Sequence, residues 1–233
     1  MSLIKFENVS RFFKVGESVV KAVDKISFEI NQGDFVVILG SSGSGKSSTL
    51  NLLGGLDSPT EGEITIDGKK ISDFSNKELT LYRRATIGFV FQFYNLIPNL
   101  NAFENVDISR KLSNDSLNAD EILKAVGLED RKTHFPSNLS GGEMQRVSIA
   151  RAICKNPKIL LCDEPTGALD SETGKNILKL LKKISDQRGI TIIMVTHNSE
   201  ITKLADKVIT MKDGSIVAIE TNETPLSPEE VVL

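Results

Sequence analysis

The stretch FVVILGSSGSGKSS, residues 35–48, is the part of the sequence that decides the fold. Its apolar start predicts a buried strand, and a loop of glycines and serines follows, ending in Lys-Ser. GSSGSGKSS fits the pattern G-x-x-x-x-G-K-[ST] and lies between a predicted strand and a predicted helix, the context in which this pattern cradles nucleotide phosphates. A flexible Gly/Ser turn is the alternative, but such a turn has no need of Lys-Ser at this offset. The predicted phosphate loop consists of Gly40, Ser41, Ser42, Gly43, Ser44, Gly45, Lys46, Ser47 and Ser48.

Four short apolar runs predict strands that are buried on both faces. They are rich in Val, Ile, Leu and Phe, as in a parallel sheet covered by helices. The runs are 34–40, 87–92, 158–164 and 190–197. Each ends in a polar group, and open α/β sheets bind their ligands beyond the carboxyl ends of the strands. We therefore expect the phosphate loop, Gln92, Asp163 with Glu164, and His197 to meet in one crevice.

The remaining segments complete the predicted architecture. Residues 3–10, 25–30 and 62–68 alternate apolar and polar residues, which predicts a small N-terminal antiparallel β subdomain. The prediction is a single α/β domain over 1–233 with a P-loop NTPase (RecA-like) parallel-sheet core. Residues 1–92 and 157–219 form this core and the β subdomain. Residues from about 93 to 156 form an inserted α-helical subdomain, and 220–233 form an acidic tail whose end we expect to be loosely held.

Composition limits the classes of partner. The net charge of -3 weakens the case for nucleic acid or an anionic membrane surface as the main partner. We find no apolar run as long as a membrane span. Cys154 and Cys162 lie among apolar residues and fit buried small hydrophobes in a reducing compartment. We therefore expect a cytoplasmic protein that binds no nucleic acid.

The residues at the strand ends suggest a division of chemical roles. Lys46 is expected to reach the β and γ phosphates, and the Ser47 hydroxyl to ligate Mg²⁺. Asp163 follows a buried strand, where an unpaired carboxylate is costly, so we expect it to face the same Mg²⁺. Glu164 is a candidate general base for the attacking water. His197 ends another core strand, from which it can reach the γ-phosphate.

A second glycine motif, LSGGEMQR at residues 139–146, raises a separate question. It begins a predicted helix, whose N-terminal N–H groups and dipole favour an anion. One ATP has a single γ-phosphate, which the first loop already serves. We therefore predict a head-to-tail dimer of two copies, in which Ser140 and Gly142 of one subunit close over the ATP held by the other.

The motifs taken together resemble the nucleotide-binding subunit of an ABC transporter, from about residue 3 to residue 217. They are GSSGSGKSS, Gln92, LSGGEMQR, ILLCDE, GALD (167–170) and His197, in this order. The resemblance implies that 40–48 is the Walker A loop, Gln92 the Q-loop glutamine and 139–145 the signature. By the same resemblance, Asp163 and Glu164 close Walker B, Asp170 is the D-loop aspartate and His197 is the switch histidine.

From this resemblance we take the expected roles at the site. The catalytic residues are Glu164, His197 and Gln92, and the Mg²⁺ ligands are Ser47, Gln92 and Asp163. Besides the phosphate loop, the ATP-binding residues are Phe13, Ser140, Gly141, Gly142, Glu143 and Asp170. Phe13 lies where the family usually has a tyrosine that stacks on adenine; the alternatives are that Phe12 stacks there or that Phe13 has a plain core role.

The resemblance also implies partners. FVFQFYNLIPNLNAFENV and CDEPTGALDSETG are similar to the branch that serves macrolide export, lipoprotein release and antimicrobial-peptide resistance. The expected partner is an integral membrane permease, which would hold the subunit at the inner face of the cell membrane. The alternative is a mechanical or regulatory ABC ATPase, of the cell-division or cofactor-assembly type, that moves no solute. Residues 91–100 are unusually apolar and suit either packing inside the helical subdomain or a docking surface for another protein.

Overall fold

The fold is described from a computed structural model, which describes residues 2–113 and 115–231. The strands are β1 (Ser2–Val15), β2 (Ser18–Asn31), β3 (Phe35–Leu39), β4 (Glu61–Ile66), β5 (Lys69–Lys70), β6 (Ile87–Val90), β7 (Ile159–Asp163), β8 (Thr191–Thr196), β9 (Lys207–Lys212) and β10 (Ser215–Thr221). The helices are α1 (Lys46–Leu53), α2 (Asn76–Ala85), α3 (Ala102–Arg110), α4 (Ala119–Ala125), α5 (Gly141–Ile153) and α6 (Ser171–Arg188).

The central sheet contains all four predicted core strands. Its order is β10-β9-β3-β8-β7-β6, and every neighbouring pair is parallel except β10 with β9. Alternate residues of β3 enter different hydrophobic cores: Phe35 and Val37 pack on one face of the sheet, and Val36 and Ile38 on the other. This burial on both faces explains the unbroken apolar runs and confirms the predicted fold class.

The predicted antiparallel sheet is also present, with the order β2-β1-β4-β5. β1 and β2 are each 14 residues long and form one hairpin, longer than the alternating segments indicated. Its inward residues join one of the two cores, where the rings of Phe6 and Phe28 stack with centroids 4.5 Å apart.

Helices α3, α4 and α5 account for most of the regular structure between residues 93 and 156. Their apolar residues share one core with α6 and the central sheet, including Val106, Leu123 and Val147. Side chains cap the starts of several helices: Ser75 with Glu78 forms a capping box at α2, and Asn118 and Asp170 cap α4 and α6. No helix in the described part of the chain is long and apolar enough to span a membrane.

The acidic tail differs from our expectation. β10 continues to Thr221 and so includes the first two residues of the predicted tail. The amide of Leu226 donates to the carbonyl of Lys203. Val231 is buried in the core that α3, α4, α5 and α6 share with the central sheet, here called the main core. The expectation of a loosely held end is therefore wrong as far as Val231, because an apolar side chain near the end docks into the protein; residues 232 and 233 lie outside the described part.

Candidate functional site

An open cleft of about 1040 Å³ lies at the carboxyl ends of the central strands. It is lined by Leu39, Gly40, Ser41, Ser42, Ser47, Gln92, Asp163, Glu164, His197, Ser199, Thr210, Met211, Lys212 and Val217. The strand ends predicted from the sequence therefore do meet in one crevice. The cleft walls also include residues of β9 and β10, which were not predicted from the sequence.

The phosphate loop has a conformation that requires glycine at its end. Gly45 caps α1 with φ of 99°, and a Cβ atom there would lie 2.3 Å from the carbonyl oxygen of Ala22 in β2. Lys46 is only 6% exposed. Its ammonium donates to the carbonyl oxygens of Gly40 and Ser41 at 2.7 and 2.8 Å. These two bonds place the ammonium inside the loop.

The Lys46 ammonium and the Ser44 hydroxyl indicate what kind of group the loop can bind. Burial lowers the pKa of Lys46, although the negative charges of Glu164 and Asp163 oppose the shift. The Ser44 hydroxyl is buried and has no partner within residues 2–113 and 115–231. A phosphate group would supply acceptors for both the ammonium and this hydroxyl, so these residues fit a nucleotide phosphate.

Asp163 and Ser47 lie together at the opening of the cleft. The Ser47 Oγ donates to Asp163 Oδ1 at 3.4 Å, at the long end of the hydrogen-bond range. Burial, and then the charge of Glu164, raise the pKa of Asp163, while Ser47 and Lys46 oppose the shift. A divalent cation would stabilise this carboxylate, so the pair fits Mg²⁺. Among the described residues, no cluster of three or more His, Cys, Asp or Glu could hold a metal; Mg²⁺ is usually held by one or two carboxylates together with waters and substrate phosphates.

The candidate base and its neighbours are brought together around a tight turn. Glu164 has φ of 43°, which is uncommon for a residue with a side chain. Its Oε1 lies 3.1 Å from Nδ1 of His197. At Gly167, a Cβ atom would lie 3.2 Å from Nε2 of Gln92 and 3.3 Å from Oε2 of Glu164. Gly167 thus lets the amide and the carboxylate approach the same space, a role that the GALD motif did not reveal.

The signature residues form the start of α5. Ser140 accepts from the amide of Glu143 at 3.2 Å, and the Glu143 carboxylate accepts from the amide of Ser140 at 2.8 Å. Arg131 lies 3.0 Å from the same carboxylate, and the hydrogen bond from the Ser140 amide, with Arg131 as a further partner, lowers the pKa of Glu143. Ser140 therefore caps α5 and Glu143 completes its capping box, as Asp170 caps α6 by accepting from the amide of Thr173. Within the described ranges, neither Asp170 nor any residue from 140 to 143 is among those that line the cleft.

The two candidate aromatic residues are on β1, also outside the cleft lining in the part of the chain described. Phe13 is 38% exposed, and the guanidinium carbon of Arg11 lies 4.5 Å from its ring centroid. Phe12 is half-buried, with the Lys21 ammonium 5.6 Å from its centroid. Because successive residues of a strand face opposite ways, only one of the two rings can face a given ligand, and stacking of Phe13 on adenine stays a prediction.

Comparisons with known proteins agree with this geometry. Residues 23–167 match the ABC transporter family. An uncharacterised ABC transporter ATP-binding protein of Methanocaldococcus jannaschii is 47% identical over 223 residues, covering 92% of this chain and 95% of that protein. The macrolide export ATP-binding/permease protein MacB of Brucella melitensis is 43% identical over 241 residues, covering 99% of this chain and 37% of that protein.

A solved structure is similar over nearly the whole chain. It is the dimeric structure of a post-hydrolysis state of an ATP-binding cassette bound to ADP and Pi. The TM-score is 0.86 at 44% sequence identity, and the match covers 94% of this chain and 98% of that one. With the phosphate loop, Asp163 and Glu164 gathered in one cleft, these matches show that the chain belongs to the ABC transporter family and is an ATP-binding subunit that hydrolyses ATP with Mg²⁺.

Proposed function

We propose that two copies of this chain close head to tail on two ATP molecules and that closure and hydrolysis drive a membrane permease. The observation that carries the proposal concerns which of the two glycine motifs lines the cleft. The cleft contains the phosphate loop and Glu164, whereas in the described part of the chain the residues from Ser140 to Glu143 are not among its lining. In this proposal the N-terminus of α5 meets a nucleotide held by another copy. The similar solved cassette, which is dimeric, supports this arrangement.

The residues of the cleft can be given roles in hydrolysis. Lys46 and the loop amides would hold the phosphates, while Ser47, Asp163 and Gln92 would hold Mg²⁺, which supplies charge neutralisation at the phosphates. Glu164 would orient a water molecule and take its proton. His197 would hold the Glu164 carboxylate in place through the 3.1 Å contact between Nδ1 and Oε1.

The dimer is tested by combining two damaged subunits. Glu164→Gln should bind ATP but slow hydrolysis by roughly 10²–10⁴-fold, the range for loss of a general base. Ser140→Arg should bind ATP as a monomer but lack turnover, because the arginine blocks closure. In a mixed dimer, both lesions fall on the same composite site and the second site is intact, so some activity should return. If the mixture shows no more activity than the separate variants, the two sites are not shared in this way.

The proposed permease contact lies in residues 91–100. Phe93 is 73% and Ile97 40% exposed, whereas Leu96 packs against the main core. The segment therefore combines an anchored part with exposed apolar side chains, which suits docking of a membrane partner. Phe93→Ser should weaken co-purification with the proposed permease and leave ATP-dependent dimerisation unchanged; undiminished co-purification would count against this surface.

For the substrate, we propose export of, or resistance to, macrolides, antimicrobial peptides or lipoproteins. The similarity to the MacB protein, whose name specifies macrolide export, supports this class. Deleting the gene should increase susceptibility to macrolide or peptide antibiotics, or impair lipoprotein release. Restoration by the wild-type gene and not by the Glu164→Gln form would show that hydrolysis is needed. If none of these phenotypes appears, the non-transporting alternative is favoured.

A further inference from the structure

Gln145 is a fully buried polar residue in the second turn of α5. Its Nε2 donates to the carbonyl oxygen of Pro165 at 2.8 Å. Its Oε1 is buried and has no hydrogen-bond partner within the described ranges. An unpaired amide oxygen in a core is costly, and an apolar residue of similar size would avoid the cost. Packing alone therefore does not explain a glutamine at this position.

The bond from Gln145 ends on the turn that carries the candidate base. Pro165 is buried and directly follows Glu164, which has the left-handed φ of 43°. The turn is otherwise held by backbone hydrogen bonds from Glu164 to Val195 and from Gly167 to Glu164, both 3.0 Å long. Such a backbone conformation persists only where the surrounding structure enforces it. Gln145 contributes to this by fixing the carbonyl next to the base.

The same helix begins at the signature. Ser140 caps α5 five residues before Gln145, which is about 7.5 Å along a helix axis. The stretch from Ser140 to Gln145 is about one and a half turns of continuous helix, and the Gln145 side chain connects it to the Pro165 carbonyl. No flexible segment intervenes between Ser140 and the side chain that holds the turn.

We propose that Gln145 is a positioning residue that fastens the Glu164 turn to the signature helix. This rests on the proposed function, in which Glu164 is the base and the helix N-terminus meets the nucleotide of the other subunit. Gln145 then links the two sites of the dimer: closure of the signature on one ATP aligns the carboxylate that acts on the other. Misplacement of a catalytic group by about 1 Å can cost about 10²-fold in rate.

The first test is Gln145→Met, which keeps the length of the side chain and removes its polar atoms. We expect kcat to fall by about 10–100-fold, with KM and the affinity for a fluorescent ATP analogue unchanged. Because the substitution also removes the unpaired oxygen, the melting temperature should change by less than about 4 °C, the equivalent of a small stability change in a chain of this size. A fall in stability without a change in kcat would mean that Gln145 is merely structural.

Ser148→Ala is the matched control. Ser148 lies on the same helix, is fully buried, and has a hydroxyl without a partner in the described part of the chain. It shares the unusual burial of Gln145 but, within that part, its side chain makes no hydrogen bond to the catalytic turn. The alanine variant should therefore keep wild-type kcat, and a loss equal to that of Gln145→Met would overturn the proposal.

The decisive experiment repeats Gln145→Met in the Glu164→Gln background and measures single-turnover hydrolysis. If Gln145 acts through Glu164, the second substitution adds no further loss once the carboxylate is gone. The same fold loss in both backgrounds would overturn the proposal. Failure of the proposed function would look different, because Glu164→Gln by itself would then retain turnover. Gln145→Asn, which retracts the amide by one methylene, provides the same comparison if the methionine variant does not fold.

Discussion

The contact between Gly142 and Thr173 gives a prediction whose size follows from one distance. The two residues lie in the first turns of α5 and α6. A Cβ atom on Gly142 would be 2.4 Å from Cγ2 of Thr173, far inside the optimal carbon–carbon separation of about 3.5–4.0 Å. Because β-branched side chains are stiff about χ1, the helices must separate or Thr173 must leave its preferred rotamer. Gly142→Ala should therefore lower the free energy of unfolding by about 1–3 kcal/mol, the usual cost of overpacking.

Thr173→Ser makes the prediction specific, because it removes the obstructing methyl group and keeps the hydroxyl. Urea unfolding of the wild type, both single variants and the double variant would give the coupling between the two sites. Gly142→Ala should cost far less in the Thr173→Ser background than in the wild type, since contacting residues are not additive. An equal cost in both backgrounds, or no cost in the wild type, would refute the steric argument.

Three further predictions concern single side chains. Burial lowers the pKa of Lys155 from 10.5 to about 8, so the folded chain holds fewer protons than the unfolded chain between these pH values, and stability rises with pH across this window. Lys155→Met should remove this rise and stabilise the protein at pH 7; an unchanged pH slope in urea unfolding would contradict it. Lys46→Ala should abolish binding of a fluorescent ATP analogue, because the buried ammonium is lost, and retained affinity would exclude the phosphate loop as the site. Phe13→Ala should weaken binding of the same analogue more than Phe12→Ala, and the reverse order would assign adenine stacking to Phe12.

The site was predictable where its residues follow local patterns. Lys46, Asp163 and His197 each come after a short apolar run, and parallel strands bring their carboxyl ends to one edge. The helix caps at Ser75, Asn118 and Asp170 were predictable for a similar reason, since a cap involves residues only two or three apart. Both kinds of signal depend on the backbone immediately around the residue.

Other features lacked such a signal. The cleft walls from β9 and β10 were missed because their residues are ordinary strand residues whose position depends on pairing with β3 and with each other. The role of two glycines was hidden for a related reason. Gly142 and Gly167 lie in recognisable motifs, but the atoms that leave no room for a side chain there belong to other residues, namely Thr173, Gln92 and Glu164. The docking of Val231 in the core was likewise hidden, because the tail's composition is polar on average.

By itself, then, the sequence determined the chemistry of this protein: a phosphate loop, acids at strand ends and a second glycine motif at a helix start. Those properties depend on spacing along the chain, which is fixed before folding. Only the tertiary structure decided that Gly142 packs against Thr173 and that Gln145 reaches Pro165, 20 residues away. Contacts of this kind are set by how helices and strands pack. Contacts between residues far apart in the chain produce no periodic pattern in the sequence.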